Sequence, residues 1–245
     1  MYKYGQFWNL FRLSILLYKK FLIKFIFLSL TFFTPVVLIN HYFWQNTPLL
    51  NSIRLNISWE VYYLINGTLW CFVVLYFLLY FMSLIKTIHF AQQQKTIKLW
   101  EIYKETLSEY KKFFQIIRLY LFKVFSWSFL LLIPGIVMAV IYNYSVLAFL
   151  IDGKKGQDAL MMSKKIIKTH YNKFLDYMLF MFLIYLVTCF PIILVLDLWI
   201  SGFWYVSRFL LVYIFEYVQI YCIILLGIFP VIFYYYLYQE LKQQS

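Results

Sequence analysis

Few side chains in this sequence are equipped for chemistry, and those few sit in apolar surroundings. Glu216, within "YIFEYVQIY", is the clearest, with Gln219 three residues on. Asp197 and Arg208 flank a short polar stretch upstream, and Asn143 interrupts another apolar run. An ionisable group inside an apolar segment is expensive to bury, so it is a functional candidate by default. The chemistry would be that of a proton or cation site on a transport path, lined by Glu216, Gln219, Asn143 and Asp197. The competing reading is structural: Glu216 makes a hydrogen bond, or pairs with Arg208 eight residues and about two turns away. Lys123 and Asp176 lie near the ends of apolar runs, where snorkelling accounts for them.

Other chemistries lack their residues. There is no HExxH, no GxSxG, no phosphate-cradling glycine loop and no pair of carboxylates at catalytic spacing. Cys71, Cys189 and Cys222 are far apart within apolar segments and read as small buried hydrophobes. His41, His89 and His170 are scattered one per polar segment, without metal-ligand spacing. The sequence therefore predicts no enzyme and no cofactor, and no nucleic-acid partner.

The elements that must carry these residues follow from composition. The chain is 64% hydrophobic and 13% charged, against roughly 25% charged for an ordinary soluble domain. A soluble fold of this size cannot cover so much apolar surface, whereas lipid removes the need to. Several apolar runs reach the roughly 20 residues that a crossing requires. Their backbone must be satisfied internally, by helices or by a closed barrel. "CFVVLYFLLYFMSLI" does not alternate as a barrel strand would, so helices are expected.

Six spans are predicted in one all-α membrane domain covering 1–245: about 21–40, 61–85, 116–133, 136–151, 174–196 and 209–236. The first is read as retained, because the bulky "INHYFWQNTP" that follows offers no small-residue cleavage site. Residues 1–20 form a loosely amphipathic basic helix with Phe7, Leu10, Phe11, Ser14 and Leu17 on one stripe. His41–Glu60 is a polar loop and Asp197–Arg208 a shorter one. In Lys86–Arg118, the stripe Leu99, Tyr103, Thr106, Tyr110, Phe113 and Ile117 predicts an amphipathic helix at the membrane surface, with a helix docking a soluble partner as the weaker alternative. Glu101, Glu105, Glu109 and Lys112 fall on its opposite side. A second interfacial helix carries Ala159, Leu160, Met162, Ser163, Ile166, Ile167 and His170 on one stripe, with Lys164, Lys165 and Lys168 off it.

The decisive question is whether the run from Leu119 to Ile151 crosses once or twice. As one straight helix, Leu119–Leu150 would be about 48 Å long, too long for a core of about 30 Å. Pro134 and Gly135 suit a hairpin turn. Charge points the same way, because basic segments stay cytoplasmic. Five Lys and Arg precede Phe25, eight lie in Lys86–Lys123, six in Lys154–Lys173, and Lys242 is in the tail. A hairpin puts these 20 of the 22 on one side and leaves Arg54 and Arg208 on the other. The outer ends then carry aromatic belts: Tyr42, Trp44, Trp59, Tyr62 and Tyr63, then Trp199, Trp204 and Tyr205. Both termini are expected inside, and the basic face should attract anionic phospholipids at about 1 kcal/mol per near-surface Lys or Arg.

The string "LLLIPGIVMAVIYNYSVLAFLIDGKKGQDALMMSKKIIKTHYNKFL" resembles bacterial inner-membrane proteins of the YciC type. It is also similar to the membrane domain fused to some glycerophosphoryl diester phosphodiesterases. The matching positions are Pro134, Gly135, Tyr142, Asp152, Ala159, Leu160, Ser163 and Lys168, with a closing element through Pro230 and Tyr234 to Tyr236. The likeness covers about a quarter of the chain. It implies six helices and the topology above, and no catalytic mechanism; the phosphodiesterase chemistry belongs to a soluble domain not found in this sequence. The expected role is a non-enzymatic envelope, lipid-homeostasis or scaffold protein of the bacterial inner membrane. The alternative is a small transporter or permease subunit, and a lipid-modifying enzyme comes third.

Overall fold

The computed structural model describes residues 2–40, 58–93, 95, 98–130, 132–204 and 210–245, in parts for the backbone only. Every regular element among them is helical: α1 (Tyr2–Asn40), α2 (Trp59–Gln92), α3 (Leu99–Leu130), α4 (Leu132–Ile141), α5 (Ser145–Asp152), α6 (Gln157–Thr169), α7 (Tyr171–Trp204) and α8 (Leu210–Gln243). Three apolar stretches among the described residues are long enough to cross a membrane: Tyr63–Gln92, Gly135–Asp152 and Tyr221–Gln243.

The helices are longer than the apolar runs that suggested them. α1 is a single rod of 39 residues, about 58 Å, so the amphipathic segment and the first predicted span are one element. The stripe itself is as read: Phe7, Leu10, Ser14 and Leu17 are buried. α2 carries on through Lys86 to Gln92, past the end at Ile85 read for the second span. α7 reaches Trp204, so Asp197 lies in a helix and not in a loop. Of the expected outer aromatics, Tyr42, Trp44 and Tyr205 lie outside the described residues, as does most of the 41–60 loop.

The chain does double back, but not where the proline and glycine stand. α3 ends at Leu130 and α4 starts at Leu132, so Pro134 and Gly135 belong to the first turn of α4. Proline costs little there, since the first N–H groups of a helix have no intrahelical acceptor. Glycine is required for approach, not for turning. A Cβ on Gly135 would lie 1.9 Å from Ser128 Oγ and 2.8 Å from Ser128 Cα. Tyr120 Oη donates across the same pair to the Ala139 carbonyl at 3.5 Å, so α3 and α4 run antiparallel.

The fourth predicted span, 136–151, coincides with the apolar stretch Gly135–Asp152, but its helix is interrupted. It breaks over Tyr142–Tyr144 into α4 and α5. α5 stops at Gly153, whose left-handed φ of 66° lets its N–H and that of Lys154 bond back to the Phe149 and Ala148 carbonyls. α3 opens with Glu101 reaching back to the Lys98 N–H at 3.2 Å.

α5 sits at the centre of the larger core. Tyr144, Leu147, Ala148 and Phe149 pack there with Phe113 of α3, Ile166 and Ile167 of α6, and Phe233 and Tyr238 of α8. A second core joins Phe25, Leu28 and Phe32 of α1 to Tyr80, Leu84 and Ile88 of α2 and Ile228 and Ile232 of α8. Much of the exterior is apolar too. Leu64, Phe72, Phe122, Phe125 and Val187 are each about two-thirds exposed.

Candidate functional site

Polar contacts gather at one end of the bundle. α1 runs antiparallel to α8, with Phe7 against Phe233 and Phe11 against Phe229. That brings the start of α1 to the end of α8. Lys173, at the start of α7, joins the two: its Nζ lies 2.8 Å from Glu240 and donates to Gln6 and Gln244 at 3.0 and 3.1 Å.

The C-terminus of α5 is tied to the same place. Asp152 accepts from Tyr238 at one carboxylate oxygen and from Lys242 Nζ at the other, the latter at 2.5 Å. The carboxylate is thus held by two donors from one face of α8, four residues apart, and is mostly shielded. The end of α2 adds a third tie. Tyr235 Oη donates to Gln92 Oε1 at 2.5 Å and lies 2.8 Å from His89 Nδ1. With its own proton committed to Gln92, Tyr235 must accept from His89, so the imidazole carries hydrogen on Nδ1. Its Nε2 then accepts from Gln93 at 2.8 Å.

α6 is docked against this end by its apolar stripe. Ala159, Leu160, Ser163, Ile166 and Ile167 are buried, while Lys164, Lys165 and Lys168 are exposed. Asp158 in the first turn and Lys168 in the last both suit the helix dipole. Ser163 reaches into the α4–α5 break. Its Oγ accepts the Tyr144 N–H at 3.0 Å and donates to the Ile141 carbonyl at 2.8 Å.

A further ion cluster ties α2 to α3. Lys86 is 3% exposed, and its ammonium lies 2.8 Å from Glu105 and 2.7 Å from Glu109. Ser83 and Thr106, both buried, hydrogen-bond beside it at 3.2 Å. The face of α3 bearing Glu105 and Glu109 therefore meets α2, where the sequence had placed it opposite the packed side. The buried stripe is Ile102, Thr106, Phe113 and Ile116. Burial also pushes the phenols of Tyr103 and Tyr110 above the ordinary tyrosine value, keeping both as neutral hydroxyls.

Of the residues first singled out for chemistry, Asn143 is the one whose side chain lies among the described residues. Glu216 and Gln219 belong to α8, but their side chains, like that of Asp197, lie outside the described residues. Asn143 is half-buried in the α4–α5 break. The ring of its neighbour Tyr144 packs at a tilt against Tyr234, 18 residues and about 27 Å along α8 from Glu216. Asn143 and Glu216 thus stand at different heights in the bundle. Among the described residues no group of three or more His, Cys, Asp or Glu is placed to hold a metal ion.

Of the positions that carried the family resemblance, Asp152, Ala159, Leu160 and Ser163 lie on α5 and α6, whereas Gly135 faces Ser128 in the α3–α4 contact. The Asp152–Lys242 and Lys86–Glu105–Glu109 contacts had no expectation behind them. Two glutamates four residues apart on a helix were a signal that one face needs a cation. No known family model, curated protein or solved structure matches this chain.

Proposed function

We propose that the chain is a non-enzymatic, six-span protein of the bacterial inner membrane, of the YciC type, with both termini in the cytoplasm. Its role is in envelope or lipid homeostasis or as a membrane scaffold. One observation carries the reading. The start of α1, the ends of α2 and α5, the start of α7 and the end of α8 are bonded to one another at a single end of the bundle. The segments that carry most of the Lys and Arg connect through that end, and a chain of this composition puts its basic end in the cytoplasm. The polar groups there are engaged with each other as ties between helices, an arrangement suited to holding a shape and presenting exposed lysines to anionic headgroups.

Cysteine accessibility tests the topology. In a background with Cys71, Cys189 and Cys222 replaced by serine, a cysteine at Lys155 should react with a membrane-impermeant maleimide only after the cells are opened. A cysteine at Ser207 should react in intact cells. Labelling of the Lys155 position in intact cells would overturn the proposal.

A further inference from the structure

An apolar groove of about 240 Å³ lies between α1, α7 and α8, lined by residues that include Phe11, Ile15, Tyr18, Met181, Leu226 and Phe229. We propose that this groove seats an acyl chain of an anionic phospholipid whose headgroup is held by Arg12 and Lys19 of α1. The proposal rests on the membrane reading above and goes beyond it, from a diffuse basic face to one lipid position.

The groove is pre-formed. Phe11 packs edge-on against Phe229 at 5.2 Å, and Tyr18 donates to the Leu225 carbonyl at 3.3 Å, joining α1 to α8 along its length. Met181 is buried at 4% exposure. A site held open by its own packing loses little freedom on binding.

Charge says what occupies it. Trp8, Arg12, Ile15 and Lys19 follow one another at four, three and four residues, so they share one face of α1 beside the groove wall. Arg12 and Lys19 are exposed, and Trp8 is 52% exposed. Helical side chains lean towards the N-terminus, so Lys19 reaches back past Ile15 towards Arg12, and Arg12 towards Trp8. Two exposed cations thus flank Ile15 of the slot on one face of α1, with an amphipathic indole one turn before Arg12. No Asp or Glu precedes Glu60, none lies between Asp176 and Asp197 on α7, and none between Glu216 and Glu240 on α8. The walls therefore offer attraction to a phosphate and no counter-charge. An acyl chain below and an anionic phosphate above satisfy both halves at once.

The test is lipid selectivity in vesicles of phosphatidylcholine containing a minor fraction of phosphatidylglycerol. The full chain is reconstituted, and spin-labelled forms of each lipid report the motionally restricted fraction. Wild type should favour phosphatidylglycerol roughly tenfold. Arg12→Gln with Lys19→Gln should bring that to about twofold while leaving the total restricted lipid unchanged. Ile15→Trp fills the slot and should lower the restricted fraction of both lipids; if that variant fails to fold, Leu226→Trp fills it from the α8 wall. Lys95→Gln with Lys98→Gln, on the α2–α3 linker, should lower the preference by much less than the Arg12/Lys19 change. An unchanged preference in the Arg12/Lys19 variant overturns the proposal, as does an equal loss in the Lys95/Lys98 variant or an unchanged restricted fraction when the slot is filled. A chain that does not enter the vesicles at all overturns the membrane reading itself.

Discussion

The Ser163 hydroxyl accepts the Tyr144 backbone N–H at 3.0 Å and donates a hydrogen bond to the Ile141 carbonyl at 2.8 Å, splicing a helix break with a side chain from another helix. Where α4 gives way to α5 the helical ladder loses partners, and an orphaned amide or carbonyl in a buried place costs about 1–3 kcal/mol. Ser163 serves both groups and is itself fully buried. Ser163→Ala should therefore destabilise by about 2 kcal/mol, read as a shift in unfolding by sodium dodecyl sulfate in mixed micelles. Ser108→Ala, at an exposed serine of α3, should shift it by less than about 0.5 kcal/mol. Equal shifts in the two variants would show that Ser163 does not hold the break.

Gly135 tests the α3–α4 approach in a way that separates side chain from backbone. Gly135→Ala puts a methyl against Ser128, and overpacking of this kind costs typically about 1–3 kcal/mol. Removing the obstructing hydroxyl with Ser128→Ala relieves the 1.9 Å contact but not the 2.8 Å contacts to Cα and Cβ. The double variant should consequently recover only part of the loss. Full recovery would mean that the two backbones do not approach so closely, and no loss from Gly135→Ala would mean that they do not meet at all.

Lys86 is a buried ammonium with two carboxylates, and the redundancy makes a sharp expectation. Glu105 and Glu109 are partly exposed, so losing either one leaves a partner, and Glu105→Gln or Glu109→Gln should cost about 1 kcal/mol or less. Losing both strands a buried charge, a change worth about 3–5 kcal/mol. The double variant should thus cost more than the two singles together. Lys86→Met, which removes the charge and keeps the stem, should cost less than the double glutamine change. Additive losses would indicate that water, not protein, solvates Lys86.

Periodicity made the local faces legible. Phe7, Leu10, Ser14 and Leu17 are buried as their spacing implied, and so is the Ala159–Ile167 stripe with its lysines outside. Helix ends were read less well, because hydropathy changes at Lys86 and at Asp197 while the backbone has no reason to stop: a helix goes on bonding internally whatever surrounds it. The reversal was visible as an excess of length, and its position was not, since proline and glycine are equally at home in a turn and in the first turn of a helix. Glu105 and Glu109 were assigned to solvent because charge was weighed without its partner, and Lys86 lies 19 residues away across a linker. The Asp152–Lys242 tie spans 90 residues and left no local trace.

That long-range tie also yields an expectation about coupling. Asp152 is held by Tyr238 and Lys242 together, and these two donors are successive turns of one helix. Tyr238 is buried within the core around Tyr144, whereas Lys242 is about one-third exposed. Tyr238→Phe removes a shielded hydrogen bond to a charged group, worth about 1.5–3 kcal/mol. Lys242→Gln removes a partly solvated ion pair and should cost about 1 kcal/mol or less. Asp152→Asn removes the charge from both contacts, so after it the Lys242 change should cost almost nothing. A double-mutant cycle on Asp152 and Lys242 should therefore return an interaction energy close to the whole effect of Lys242→Gln. If instead the two losses add, Lys242 is not a partner of Asp152, and the end of α8 is anchored through Tyr238 and Glu240 without it.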